Sequence, residues 1–270
     1  MELYDNETLC EVNEHIRLIQ RDGGLTFGTD AYLLAAYLPS PARGDSRVRA
    51  VDLGSGTGVI PLLCLARNKA ATVHAVELQP AFAELIGRNA ALNGMDGRLF
   101  SVCADVRDIT AATVGGEVDI VTANPPYMAS GVGALNRSDE KSLARHEIAG
   151  GIADFCAAAG RLLKHGGHFY CVFRPERAVD LLVALRAAHL EPKRMTVVQA
   201  TPAAQPSLLL VDAVKGAAPS LCLTPPLCLH LPDPERPEKP LLPLQDSPDT
   251  AYIYENCAFP QKFLITNRKS

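Results

Sequence analysis

The 270-residue sequence has no excess of basic residues. Its 26 Lys and Arg are outnumbered by 30 Asp and Glu, which gives a formal net charge of −4 at pH 7. Proteins that bind nucleic acid without regard to sequence normally need a basic surface that neutralises phosphates. The charge balance therefore argues against general nucleic-acid binding, and any role on RNA must rest on a local site.

The sequence also has no clustered cysteines and no long apolar run. None of its eight cysteines belongs to a CxxC pair or to a Cys/His cluster suited to zinc. We therefore expect no metal site and a reduced, cytoplasmic setting. Residues 1–10 contain no apolar signal region, and the apolar run at residues 31–38 is too short to span a bilayer, so we expect no association with a membrane.

What the sequence does have is an alternation of strand-like runs and helical patterns. Hydrophobic residues make up 47% of the chain, which is enough for a sizeable core. The runs that predict strands are residues 48–53, 72–77, 99–103, 118–123, 168–173, 196–199 and 208–214. The segments that predict helices are residues 58–68, 80–93, 147–164 and 175–189. This alternation predicts an α/β protein with a doubly wound, mostly parallel seven-stranded sheet.

The same pattern divides the chain into three parts. Residues 48–216 hold the alternating elements, and residues 1–47 form an N-terminal extension that we expect to pack on them. Ten of the chain's 20 prolines lie in residues 217–270, which predicts an irregular C-terminal extension.

In the N-terminal part, Thr29 and Asp30 precede an apolar run. They are interpreted either as the cap of a short helix or as part of a segment that helps to close a ligand site.

A glycine-rich turn follows the first of the seven predicted strands. Its pattern is Asp-x-Gly-x-Gly-x-Gly, and Val59 stands where a dinucleotide fingerprint needs its third glycine. Glycine lets a ligand approach the backbone closely, because it has no Cβ and tolerates positive φ. The acid before the glycines can hold a cation, such as the ammonium of a methionine moiety. The residues expected to bind a cofactor here are Asp52, Gly54, Ser55, Gly56, Thr57 and Gly58.

Two further acids follow the next two predicted strands. Glu77 lies roughly 20 residues past the glycines, where a carboxylate can accept hydrogen bonds from both hydroxyls of a ribose. Asp105 could accept a hydrogen bond from an adenine amine. Each acid alone could be a solvated strand-end residue. Together with the glycine turn, they predict a nucleoside cofactor, S-adenosylmethionine in preference to a nicotinamide. Leu78 and Asn124 are also expected to bind this cofactor.

The fourth predicted strand runs into Asn124-Pro125-Pro126-Tyr127. Such a sequence is often a plain turn. Its place is distinctive, because open α/β sheets bind ligands at the carboxyl ends of their strands. The Asn124 side-chain oxygen and the Pro125 carbonyl could accept hydrogen bonds from a planar amine and free its lone pair for methylation. The prolines fix the backbone, and Tyr127 could stack on a flat substrate.

The glycine turn and the Asn-Pro-Pro-Tyr motif resemble those of class I amino-methyltransferases. That group methylates adenine N6, guanine N2 or protein glutamine amides. More of the chain resembles the bacterial tRNA(Val) adenine-N6 methyltransferases, and the matching stretches are residues 27–31, 33–35, 136, 144–147, 174–177 and 225–227. The resemblance implies a Rossmann-like methyltransferase fold, S-adenosylmethionine as cofactor and an adenine in RNA, in particular tRNA, as the acceptor.

The segment between the Asn-Pro-Pro-Tyr motif and the third predicted helix would overhang the substrate. It contains Arg137, Lys141 and Arg145, which are opposed by acids. The segment is interpreted either as a solvated loop or as a lid whose basic side chains contact phosphates.

Two alternatives to RNA methylation stay open at this point. A protein glutamine N5-methyltransferase would use the same motif, although those enzymes usually carry a larger helical domain ahead of the glycine turn. A noncatalytic cofactor-binding scaffold would act through its proline-rich tail, although the intact Asn124–Tyr127 motif argues against it. The sequence does not specify which RNA or nucleotide is modified, or the oligomeric state.

Overall fold

A computed structural model describes residues 3–21, 28–39, 47–126, 150–231 and 245–264. The helices in these residues are α1 (Thr29–Tyr37), α2 (Val59–Ala66), α3 (Pro80–Leu92), α4 (Ile152–Leu162), α5 (Ala178–Ala187) and α6 (Pro248–Asn256). The strands are β1 (Glu7–Asn13), β2 (Ile16–Arg21), β3 (Arg49–Leu53), β4 (Thr72–Glu77), β5 (Leu99–Cys103), β6 (Val118–Ala123), β7 (Leu163–Phe173), β8 (Leu190–Gln199), β9 (Pro206–Lys215), β10 (Cys222–Leu223), β11 (Leu227–Cys228), β12 (His230–Leu231) and β13 (Gln245–Asp246).

The central sheet has the order β10-β8-β9-β7-β6-β3-β4-β5, with β11 also paired to β8. Strands β7, β6, β3, β4 and β5 are parallel to one another, whereas β9 is antiparallel to both β7 and β8. The prediction of a doubly wound, mostly parallel α/β sheet is confirmed, and all seven predicted strands are present. Within the described ranges the sheet has nine strands, because the two-residue strands β10 and β11 of the proline-rich segment extend it.

Both faces of the sheet are covered, which explains the continuously apolar strands. One core cluster joins residues of α1, α2 and α3 to one side of the strands, for example Ile86 with Ala50 and Val73. The other joins residues of α4 and α5 to the opposite side, for example Phe155 with Val51. Side chains alternate between the two clusters along β7, as the twofold period of a strand requires: Tyr170 and Val172 belong to the first cluster and Cys171 to the second.

Two predicted helices differ from the structure at their ends. The described part of the 147–164 segment becomes helical only at Ile152 and ends at Leu162, because Leu163 already pairs with Val118 as the first residue of β7. The 175–189 segment is divided into a short 3-10 turn, Pro175–Arg177, and the helix α5.

The N-terminal part contains an antiparallel hairpin, β1–β2, that the sequence pattern did not predict. Its strands are short and mix polar with apolar residues, so an apolar alternation does not run the full length of either strand. Asn89 of α3 fixes the hairpin, since its Oδ1 accepts from the Ile19 N–H at 2.7 Å and its Nδ2 donates to the Ile19 carbonyl at 3.2 Å. Glu7 adds a two-point ion pair with Arg88 at 2.6 and 2.8 Å.

The described part of the C-terminal segment is more regular than the sequence suggests. It contains α6, whose N-cap Ser247 accepts a hydrogen bond from the Thr250 N–H. Phe259 and Phe263 lie in the core, and Phe259 packs edge-on against Tyr37 of α1 with ring centroids 5.1 Å apart. The division into parts at residues 47 and 216 stays a prediction. No helix in the described ranges is long and apolar enough to cross a membrane.

Candidate active site

Three loops of the site meet at one edge of the sheet because of the register of its strands. The last residue of β3 lies beside the last residue of β6 and the penultimate residue of β4. The chain therefore presents Gly54, Asn124 and Glu77 together where these strands end. This edge is where open α/β sheets bind their ligands.

The glycine turn leaves open space for a ligand. Gly54, Gly56 and Gly58 have φ angles of 70°, 55° and 85°, a region that disfavours side chains. A Cβ on Gly56 would meet no atom within 4 Å, whereas a Cβ on Gly54 would lie 3.2 Å from the Phe155 ring. The turn is therefore packed from behind at Gly54 and open at Gly56.

Ser55 and Thr57 of the turn are nearly buried and help to shape it. The Ser55 hydroxyl donates to the Asp52 carbonyl at 3.0 Å, and the Thr57 carbonyl accepts from Asn89 Nδ2 at 3.0 Å. Their contact with a cofactor stays a prediction, as does that of Gly58.

Glu77 is held rigidly against the glycine turn. Its Oε2 accepts from the Gly56 N–H at 2.9 Å, and its Oε1 accepts from the Gln79 N–H at 2.9 Å. Burial raises the pKa of Glu77 above its ordinary value. A carboxylate oxygen has room for about two hydrogen bonds, so each oxygen keeps acceptor capacity for a hydroxyl of a ribose.

Asp52 is a buried acid with an unsatisfied oxygen. It is 1% exposed, and its Oδ1 accepts from the Thr122 hydroxyl at 2.5 Å. Its Oδ2 is buried and has no hydrogen-bond partner in the described part of the chain. Burial raises the pKa of Asp52 to about 7. An orphaned buried carboxylate oxygen needs a reason, and a bound cation such as an ammonium would supply its partner.

Asp105 also lies at this edge, after β5, but its carboxylate has a partner of its own. Both of its oxygens bind the Arg107 guanidinium, at distances of 2.5 to 3.0 Å. The same contact holds the pKa of Asp105 below its ordinary value. Its expected bond to an adenine amine stays a prediction, as do the cofactor contacts expected for Leu78 and Asn124.

Asn124 follows β6 and leads into Pro125, which is buried, and Pro126, which is half-buried. The Asn124 Nδ2 donates to Asp30 Oδ2 at 3.1 Å. Asp30 belongs to the first turn of α1, where Gly28 is the N-cap and no side chain caps the helix. The segment around Asp30 therefore reaches the site, as one of its two interpretations expected. Neither Thr29 nor Asp30 is the N-cap residue, although Asp30 Oδ1 accepts from the Ala31 N–H of the first turn.

Four of the predicted site residues lie outside the described ranges. They are Tyr127, Arg137, Lys141 and Arg145. Sequence reasoning in turn missed two contacts that the site contains, that of Thr122 with Asp52 and that of Asp30 with Asn124. Neither could be read from spacing, since each contact depends on how distant elements align.

The sheet order, the glycine turn and the two buried carboxylates define a Rossmann-like protein that holds a nucleoside cofactor at the carboxyl edge of its strands. Residues 26–187 match the family model described as "Methyltransferase small domain", and the chain belongs to this family. It is an S-adenosylmethionine-dependent methyltransferase, as the sequence predicted. Asp52, Glu77 and the open face of Gly56 fit that cofactor.

The chain is also similar to individual methyltransferases. A tRNA1(Val) (adenine(37)-N6)-methyltransferase of Porphyromonas gingivalis is 30% identical over 187 residues, which are 68% of this chain and 72% of that protein. The protein of the same name from Bacteroides fragilis is 27% identical over 68% of this chain and 75% of its own. A solved structure described as a predicted O-methyltransferase from Agrobacterium tumefaciens superimposes with a TM-score of 0.65 over 86% of this chain and 98% of its own. At 24% identity, that likeness supports the fold alone.

Proposed function

We propose that this protein methylates the exocyclic N6 amine of an adenine in tRNA, with S-adenosylmethionine as the methyl donor. The observation that carries the proposal is the position of Asn124, which the register of β6 and β3 places beside the glycine turn. The substrate class is supported by the relatives named as tRNA1(Val) adenine-N6 methyltransferases. Adenosine 37 of tRNA1(Val) is therefore the first nucleotide to test.

The residues at this edge suit the chemistry of a planar amine. Its lone pair is delocalised into the ring, so the nitrogen is a poor nucleophile. Asn124 Oδ1 and the Pro125 carbonyl would accept hydrogen bonds from the two N–H groups, which favours a pyramidal nitrogen with an available lone pair. The bound cofactor supplies an electrophilic methyl group. The methylated amine is acidic and can release its proton to water, so the site needs no strong general base.

Most of the rate would come from alignment of the two reactants. Asp52 would hold the ammonium end of the cofactor and Glu77 its ribose, while Asn124 and Pro125 hold the acceptor amine. Tyr127 would stack on the extruded base. The RNA backbone would be contacted by three basic residues from one short segment of this acidic chain, Arg137, Lys141 and Arg145.

The cellular setting belongs to the same proposal. All eight cysteines are free thiols, and four of them, Cys64, Cys156, Cys171 and Cys257, are buried. Free thiols in this number fit a reducing compartment. The protein would therefore act on tRNA in the cytoplasm.

The test is methyl transfer from tritiated cofactor to total tRNA and, in parallel, to total protein. We expect label in tRNA that digests to N6-methyladenosine, and no label with Asn124→Ala. A transcript of tRNA1(Val) with adenosine 37 replaced by guanosine tests the position. Label in protein as N5-methylglutamine, or cofactor binding with transfer to neither pool, would contradict the proposal.

A further inference from the structure

Asp30 and Asn124 form a contact between the N-terminal helix and the motif that follows β6. Asp30 Oδ2 accepts a hydrogen bond from Asn124 Nδ2 at 3.1 Å, across a separation of 94 residues. Both residues are half-buried. A hydrogen bond to a charged acceptor in such a setting is stronger than one between neutral groups.

The Asp30 carboxylate is itself held in place. Its Oδ1 accepts from the Ala31 N–H at 2.9 Å, one of the first-turn donors of α1. A Cβ on Gly28 would lie 2.7 Å from that oxygen, so glycine at this position makes room for the carboxylate. Every residue of α1 after Asp30 is buried, which anchors the helix. Asp30 is therefore a fixed acceptor.

The direction of this hydrogen bond determines which end of the amide faces the site. A carboxylate can only accept, so the group of Asn124 that faces Asp30 must be its NH2. The amide is planar, and its Oδ1 is consequently the end turned away from Asp30. With the amide reversed, Nδ2 would face the acceptor amine, and two donors would oppose each other.

We propose that Asp30 is a positioning residue that selects the amide orientation in which Asn124 Oδ1 receives the acceptor amine. The inference rests on the proposed function, since it assumes that Asn124 Oδ1 accepts from a substrate N–H. In this proposal Asp30 acts through Asn124, whose Nδ2 it binds, and not on the reacting atoms. Its negative charge also polarises the amide and increases the electron density on Oδ1.

The first test is Asp30→Ala, assayed for methyl transfer to tRNA. We expect kcat to fall about 10- to 100-fold, because a misoriented amide no longer aligns the amine. Cofactor affinity by calorimetry and KM for tRNA should change less than about twofold. Asp180→Ala, which removes a half-exposed carboxylate from the first turn of α5, is the matched control and should keep the activity of the parent protein.

A second variant separates positioning from helix stability. Asp30→Ser keeps an oxygen that can accept from the Ala31 N–H, but its side chain is too short to reach Asn124. We expect Asp30→Ser to restore any loss of Tm in Asp30→Ala and to leave kcat low. If Asp30→Ser also restores kcat, the role is structural and the proposal is wrong.

An exchange of donor and acceptor tests the pair directly. Asn124→Asp alone sets two carboxylates against each other, whereas Asn124→Asp with Asp30→Asn rebuilds the hydrogen bond in reverse. We expect the double variant to be at least about tenfold more active than Asn124→Asp, by the same alignment argument. No gain in the double variant, or full kcat in Asp30→Ala, would overturn the proposal. Absence of tRNA methylation by the unmodified protein would instead refute the proposed function.

Discussion

The part of the site proposed to bind the cofactor (the cofactor half) and the part proposed to bind the acceptor amine (the acceptor half) are built differently. The cofactor half combines the glycine turn with two buried carboxylates on adjacent strands, Asp52 and Glu77. Burial raises the pKa of both acids. The acceptor half, Asn124 with Asp30, is a neutral amide oriented by a residue from a distant helix. We propose that the first binds a cation, whereas the second sets the direction of a hydrogen bond to the acceptor. Mutations in the two halves should therefore affect different steps.

The largest effect is expected for Asn124→Ala in the acceptor half. Removing an oriented hydrogen-bonding group of this kind lowers kcat by about 10²- to 10³-fold in other enzymes, and we expect a loss of that size. Cofactor affinity should change less than about twofold, since Asn124 acts on the acceptor amine. Single-turnover transfer and calorimetry measure the two quantities. Near-normal turnover of Asn124→Ala would show that Asn124 does not bind the acceptor amine.

Asp52→Asn tests the cofactor half with a side chain of the same shape. The amide introduced at this position can still accept from the Thr122 hydroxyl, but it has no charge for the cofactor's ammonium. We expect the Kd for S-adenosylmethionine to rise about 10- to 100-fold, which corresponds to roughly 1.4 to 2.8 kcal/mol. The free protein should be no less stable than the parent, because a buried, unpaired charge is costly. An unchanged Kd would contradict the assignment of Asp52.

The pH dependence of the free protein follows from the same carboxylate. Burial raises the pKa of Asp52 from 3.8 to about 7, so between these values the folded protein binds more protons than the unfolded chain. Asp52 should therefore contribute a free energy of unfolding that falls as pH rises from about 4 to about 7, and Asp52→Asn should remove this contribution. Glu77 contributes in the same direction, whereas Glu7, Asp105 and Asp119, whose pKa values lie below the ordinary ones, contribute in the opposite direction. The share of Asp52 is therefore the difference between the parent protein and Asp52→Asn. Chemical denaturation of both proteins across this range measures the two slopes.

Cofactor affinity should have the opposite pH dependence. Only ionised Asp52 pairs with an ammonium, so S-adenosylmethionine should bind about fivefold more tightly at pH 7 than at pH 6. Asp52→Asn should flatten this profile, which calorimetry at the two pH values would record. A Kd that is constant between pH 6 and 7 in the parent protein would show that Asp52 does not bind the cation.

The cofactor half was largely predictable from the sequence, and the acceptor half only in part. Parallel strands end at a common edge, so Glu77, the glycine turn and Asn124 could be brought together from the strand pattern alone. The contacts of Asp52 with Thr122 and of Asn124 with Asp30 could not. The first depends on the register of β3 and β6, and the second on where α1 packs.

Two elements of the fold, one near each end of the chain, also could not be predicted from the sequence pattern. The hairpin β1–β2 and the helix α6 are stabilised by tertiary contacts, such as those of Asn89 and Phe259, rather than by local pattern. Prolines in the C-terminal segment suggested irregular structure, although Pro248 lies in the first turn of a helix, where proline is favoured. Composition alone could not distinguish a proline in irregular structure from one in the first turn of a helix.

The smallest effect is expected for Asp105, because Arg107 already occupies both of its carboxylate oxygens. Asp105→Asn should change the Kd for S-adenosylmethionine less than about threefold, since the amide keeps an acceptor oxygen and the lost charge was already paired. Glu77→Gln is the matched comparison and should raise the Kd about tenfold, because both Glu77 oxygens accept from backbone N–H groups and glutamine replaces one of these acceptors with an NH2 donor. If Asp105→Asn raises the Kd as much as Glu77→Gln does, the cofactor displaces Arg107 from Asp105. Asp105 would then bind the cofactor, as Asp52 and Glu77 are proposed to do.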